Sequence, residues 1–224
     1  MKIFFLLSLL LSCFVAPLHS AKPEKNSDPG PDPKVRRQYE IKIRDAASAF
    51  EREDYIHTGK LVAEAETLWP GQPPTINLQG ALFYREKKYP AALEKFRSLI
   101  EKDPNSYTGY FNVAEVYLAQ KNYDLALEGF GRILDARPKD EACQFRVALI
   151  FALQGKNDEA RAFAVKIPKI GQTAAHYYAQ AGIEFIAGNQ RKGDDWIKQS
   201  ELFFPRESSR QLRKTLVDLG LLQK

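Results

Sequence analysis

The sequence predicts an all-α chain: an α-solenoid of about five paired-helix units closed by a C-terminal helix. Two observations predict it. Gly80, Phe83, Tyr89, Ala92, Phe96, Leu99 and Pro104 recur, each 34 residues on, as Ala114, Tyr117, Tyr123, Ala126, Phe130, Ile133 and Pro138. Weaker copies continue the stride on both sides, through Tyr55 and Pro70 before the pair and Val147, Ala148, Phe151 and Ala160 after it. A fixed period of this length marks stacked units that share one continuous core.

Each element of the pattern has a physical reason. A small residue at Ala92 or Ala126 lets the second helix of a pair approach the first. Phe96 and Phe130 lie one turn further along the same face and fill the gap. Pro104 and Pro138 end the second helix, because proline cannot continue one and biases its predecessor away from helical angles. Asp103-Pro104-Asn105-Ser106 then reads as a turn. Pro90 suits a first helical turn, where its missing donor costs nothing.

These residues resemble the tetratricopeptide repeat family, a 34-residue helix–turn–helix. The resemblance implies an α-solenoid with a protein-binding role and no chemistry of its own. It implies repeats over residues 39–72, 73–106, 107–140, 141–173 and 174–205. The first is worn: Thr58 replaces the small alanine and Lys42 an apolar residue. Its helices are expected near Tyr39–Glu51 and Tyr55–Leu68. Those of the next two fall near Thr75–Glu86, Pro90–Glu101, Tyr107–Gln120 and Tyr123–Ala136. In the fourth, Gly155-Lys156-Asn157-Asp158 is the turn and Pro168 shortens the second helix, leaving a longer connection from Ile167 to Thr173. The fifth drifts by a one-residue deletion, with Gly188-Asn189 as its turn and Glu184 where an aromatic is expected. Residues 206–224 predict a last helix, capped by Ser208-Ser209 and stopped at Gly220. Leu212, Leu216 and Leu219 form its apolar stripe. It is expected to cover the open end of the array, or else to dock into a partner or into the protein's own groove.

The chain has 224 residues, 44% hydrophobic and 27% charged, enough for a real core. The net charge of +5 arises from 33 basic and 28 acidic residues, well interspersed. No basic block exceeds Lys34-Val35-Arg36-Arg37, so nucleic-acid binding is disfavoured. Residues 1–20 read as a secretory signal peptide: Lys2, an apolar run from Ile3 to Val15, Pro17, then small residues near Ala21. No later segment has the apolar length of a transmembrane helix. Cys13 has two readings. It is an apolar-region cysteine removed with the signal, or, in Leu10-Leu11-Ser12-Cys13, the acylated residue of a lipobox that would anchor the chain. Residues 21–38 carry a cluster of prolines and few apolar side chains, as a disordered linker does.

Cys143 is the other cysteine, expected to be a small buried hydrophobe. His57 and His176 lie in different repeats, without metal-ligand spacing. No phosphate loop or nucleophile elbow occurs, and Asp194-Asp195 and Glu51-Arg52-Glu53-Asp54 read as solvated charge. The chain is therefore expected to be neither an enzyme nor a cofactor carrier.

In such arrays the first helix of each pair lines the concave face. The resemblance places Asn77, Ala81, Tyr84, Phe111, Glu115, Leu118, Phe145, Leu149, Tyr178 and Phe185 there. They form an aromatic groove for a peptide or helix of another protein, or else neighbouring helices or the last helix bury them. Asn77 looks isolated, so the basic clamp of chaperone-binding repeats is absent. Three roles fit: an exported adaptor, a structural subunit of an envelope assembly that is lipid-anchored or self-associates as a homo-oligomer, and an accessory domain of an enzyme complex. Oligomeric state and partner identity are left open.

Overall fold

The computed structural model describes residues 30–168 and 172–223. The signal peptide, Cys13, residues 21–29 of the linker and the middle of the Ile167–Thr173 connection lie outside the described residues. Among the described residues there are eleven α-helices, one 3-10 turn and no strand. The helices are α1 (Pro33–Glu51), α2 (Tyr55–Leu68), α3 (Pro73–Arg85), α4 (Tyr89–Lys102), α5 (Tyr107–Ala119) and α6 (Tyr123–Ala136). They continue as α7 (Glu141–Leu153), α8 (Asn157–Ala164), α9 (Ala174–Ile186), α10 (Gln190–Phe203) and α11 (Arg210–Asp218). None is long and apolar enough to cross a membrane.

Most boundaries follow local chemistry. Helix α1 starts earlier than the sequence suggests, at Pro33 rather than Tyr39. Asp32 caps it by accepting from the Lys34 amide at 2.8 Å, and Pro33 occupies the first turn. Asp54 caps α2 through the His57 amide, and Asp140 caps α7 through the Cys143 amide. Helix α8 is short, as Pro168 foretold, with 8 residues. The expected serine cap of α11 is not made: a 3-10 turn over Arg206–Ser209 leads into the helix, and the Ser209 side chain accepts no capping bond.

The repeat is written most clearly in the backbone. Between the helices of each pair, one residue adopts a left-handed φ: Glu53 at 63°, Lys87 at 59°, Lys121 at 60°, Gly155 at 75° and Gly188 at 79°. The stride is 34 three times and then 33, which places the deletion between the fourth and fifth turns. At each turn two amides reach back to close the first helix. At the third, Lys121 N donates to the Leu118 carbonyl and Asn122 N to that of Tyr117. This is the left-handed helix stop in which glycine is the favoured residue. Three of the five positions are not glycine, so composition alone hides the regularity.

The chain divides into two compact units, one ending at Asn112 and the other beginning at Val113. In the first, Tyr39, Ile43, Ala46, Phe50, Leu61, Val62, Ala65, Leu78 and Ala81 form a buried cluster. The buried residues of α1 recur every three or four positions, the spacing of one helical face. Tyr39 meets Trp69 edge-on, and its hydroxyl lies 3.1 Å from Thr75 Oγ1. In the second unit the cluster runs through α7 and α9, from Phe145 and Leu149 to Tyr178 and Ile183, and includes Leu216 of α11. Cys143 is fully buried, as expected of a small hydrophobe.

Candidate protein-binding surface

The residues that the repeat pattern assigns to the binding face are, for the most part, buried within their own units. In the first unit Asn77 is 9% exposed and accepts a 2.7 Å hydrogen bond from Asn112 Nδ2. Asn77 is thus not isolated. Its partner lies 35 residues on, one position away from the repeat-equivalent Phe111, and Asn112 is fully buried. Ala81 belongs to the core, and Tyr84 is half-buried beside Tyr89. Phe111 is buried and stacks on Tyr107 with ring centroids 5.6 Å apart.

The second unit shows what occupies this face. Phe145, Leu149 and Tyr178 are each 1% exposed or less, and Leu118 is also buried. Helix α11 lies over α7 and α9. Its Leu216 seats on Gly182, where an added Cβ would stand 3.1 Å from Leu216 Cδ2 and would clash with Leu149. Gly182 is the bare spot on α9 that admits both leucines. Beside it, Arg146 Nη2 donates to Thr215 Oγ1 at 3.1 Å. The same guanidinium meets Glu115, Nε to Oε1 at 2.5 Å, with the two side chains 4% and 15% exposed. A buried cation requires such a partner, because leaving water uncompensated is costly. Helix α11 therefore packs on α7 and α9 of its own unit.

Tyr178 lies under the same helix. Burial pushes its phenol above its ordinary range, and the cation of Arg213 on α11 opposes the shift. Phe185 faces elsewhere: its ring fills the space left by Gly193 on α10. Glu184, the residue out of pattern, is buried, pairs with Arg161 of α8 at 3.2 Å and accepts from Asn189 Nδ2 at 2.9 Å. An aromatic there could not tie α8 to the turn in this way.

Asn112, Arg146 and Thr215 escaped the sequence reading. Asn112 and Arg146 carry one signal, a polar side chain inside an otherwise apolar helical stretch, Thr215 carries none, and the partner in each case comes from another helix. Among the described residues no cluster of His, Cys, Asp and Glu could hold a metal ion.

A tetratricopeptide repeat family model matches residues 77–141 and 114–175. The structure resembles TTC0263, a thermophilic repeat protein of Thermus thermophilus, at 18% identity and a TM-score of 0.66, covering 82% of this chain and 100% of that one. It also resembles a tetratricopeptide repeat protein of Parabacteroides merdae, at 18% identity and a TM-score of 0.52, covering 83% and 75% of the two chains. A third similar structure is that of MamA, at 13% identity and a TM-score of 0.51, covering 79% and 96%. Identities this low speak for the fold. No curated protein matches the sequence. The period of 34, the left-handed turn that recurs with it, the family match across residues 77–175 and the shared fold lead to one assignment: the chain carries tetratricopeptide repeats over residues 77–175 and has the fold of tetratricopeptide repeat proteins.

Proposed function

We propose that this protein is an exported, non-catalytic scaffold that binds a helical segment of another protein on the faces of its first helices. The repeat fold supports a protein–protein interaction module. The observation that carries the finer reading is α11 itself. An amphipathic helix already lies on α7 and α9, and it is held by one leucine in a glycine-floored notch and one hydroxyl on a buried arginine. That is helix-in-groove recognition, with apolar anchors for affinity and a polar contact for register.

Site-specific photo-crosslinking in the native envelope tests this. A crosslinking residue at Tyr84 of α3 should capture a discrete partner, and one at Glu94 of α4 should not. Capture only from Glu94, or from neither position, would sink the reading.

Export rests on the apolar run from Ile3 to Val15 and the small residues that follow it. A second reading, a lipid-anchored subunit of an envelope assembly, is favoured by Leu10-Leu11-Ser12-Cys13. The mass of the mature N-terminus separates the two: a free amine near Ala21 fits a released protein, and an acylated Cys13 an anchored one.

A further inference from the structure

We propose that α11 is a displaceable, built-in ligand of the second unit, and that its anchors spell the partner that competes with it. The proposal rests on the protein-binding reading above and adds the chemistry of the ligand and a closed resting state.

The anchors are few and ordered. Thr215 and Leu216 are the buried residues of α11, and Leu212 and Leu219 pack half-buried on either side. Read along the helix, the contact surface is leucine, two residues, hydroxyl, leucine, two residues, leucine. The hydroxyl meets Arg146, whose charge Glu115 balances from α5. The second leucine enters the notch over Gly182, walled by Leu149. The competing partner is therefore an amphipathic helix carrying that order of residues. A plain leucine stripe would offer no hydroxyl to the Arg146 donor that now reaches Thr215, and a helix without the central leucine would leave the notch empty.

The helix is also suited to leave. It has 9 residues, too few to be stable by its own hydrogen bonds, so its folding depends on the seat. It lies between the 3-10 turn at Arg206–Ser209 and the left-handed Gly220 at 73°. Releasing it breaks no helix pair. In contrast, α7 and α9 are each buried along nearly their whole length and stay put. A ligand that must displace a resident helix binds more weakly by the fraction of time the seat is open.

The test uses the full mature chain and a fluorescent peptide with the sequence of residues 206–223. The wild-type chain should bind it weakly. A Leu216→Gln chain, its own anchor spoiled, should bind it at least about tenfold more tightly. A peptide carrying the same Leu216→Gln change should bind neither chain. Hydrogen exchange on the wild-type chain gives a readout independent of any variant: the amides of α11 should exchange well before those of α9. Equal peptide affinity for both chains, or α11 amides as protected as those of α9, would overturn the proposal. Loss of partner crosslinking at Tyr84 would leave both measurements unaffected, so the two readings fail separately.

Discussion

A Cβ on Gly80 would stand 2.5 Å from Cε1 of Phe96, whose ring is 1% exposed and has no room to retreat. The small residue of one helix and the aromatic of the next are thus one packing unit. Gly80→Ala should gain up to about 1 kcal/mol in helix propensity. It should lose about 1–3 kcal/mol by overpacking. The second effect wins because the ring is enclosed, so urea unfolding should show net destabilisation. Ala126→Leu on fully buried Ala126, against fully buried Phe130, should cost about 1–3 kcal/mol with no compensating gain.

The left-handed turns give a prediction of opposite sign. Lys121 is exposed and holds φ at 60°, a conformation that costs an L-residue about 1–2 kcal/mol. Lys121→Gly should therefore stabilise the chain, by about 0.5–1 kcal/mol once the flexibility of glycine in the unfolded state is subtracted. Gly155→Ala, at φ 75° with no atom within 4 Å of the new Cβ, should destabilise by a similar amount through the backbone alone. Thermal melts of the two single variants should move apart. A shift of both in the same direction would remove the backbone explanation.

These turns also show how much of the fold was legible. Helix pairs, their stride and the late deletion could be read because packing demands a small residue, an aromatic and a stop at fixed offsets. Helices α2 and α6 fall where the pattern put them, residue for residue. The start of α1 was missed because prolines at 29, 31 and 33 read as linker, although Pro33 follows an aspartate cap. The binding face was less legible. The pattern left open whether Leu149 and Tyr178 meet a partner or lie under the last helix, and in the structure they lie under α11. That depends on the notch at Gly182 and on Arg146 finding Thr215 from 69 residues away. Phe145 illustrates the consequence: it is fully buried, so Phe145→Glu would report on folding before it could report on a partner.

The Arg146–Glu115 pair should behave as a coupled unit. Glu115→Leu removes the carboxylate that meets Arg146 at 2.5 Å and leaves a buried guanidinium short of its counter-charge. A fully buried pair broken in this way costs about 3–5 kcal/mol, and the partial exposure of Glu115 brings the expected loss to about 2–3 kcal/mol. Adding Arg146→Met should recover part of it, since an apolar pair of similar volume fills the same space. A double variant as unstable as the sum of the singles would show that the two charges do not act together.

His176 should contribute to the acid limb of stability. Burial lowers its pKa below the ordinary imidazole value, while backbone hydrogen bonds at Ile167 and Ala164 oppose the shift. Its ring lies edge-on to Tyr177 and to Trp196 of α10, in surroundings that favour the neutral form. The unfolded chain protonates this group near pH 6.5, and the folded chain only lower. Above that range both states are neutral and the residue contributes no pH dependence. As pH falls below about 6.5 the unfolded state binds the proton first, so stability declines until the folded pKa is passed. Urea midpoints at pH 7.5, 6.5 and 5.5 should fall in that order for the wild-type chain. For His176→Phe, which keeps the ring contacts and cannot titrate, the decline over the same interval should be shallower. Parallel slopes for the two chains would assign the acid sensitivity to other groups.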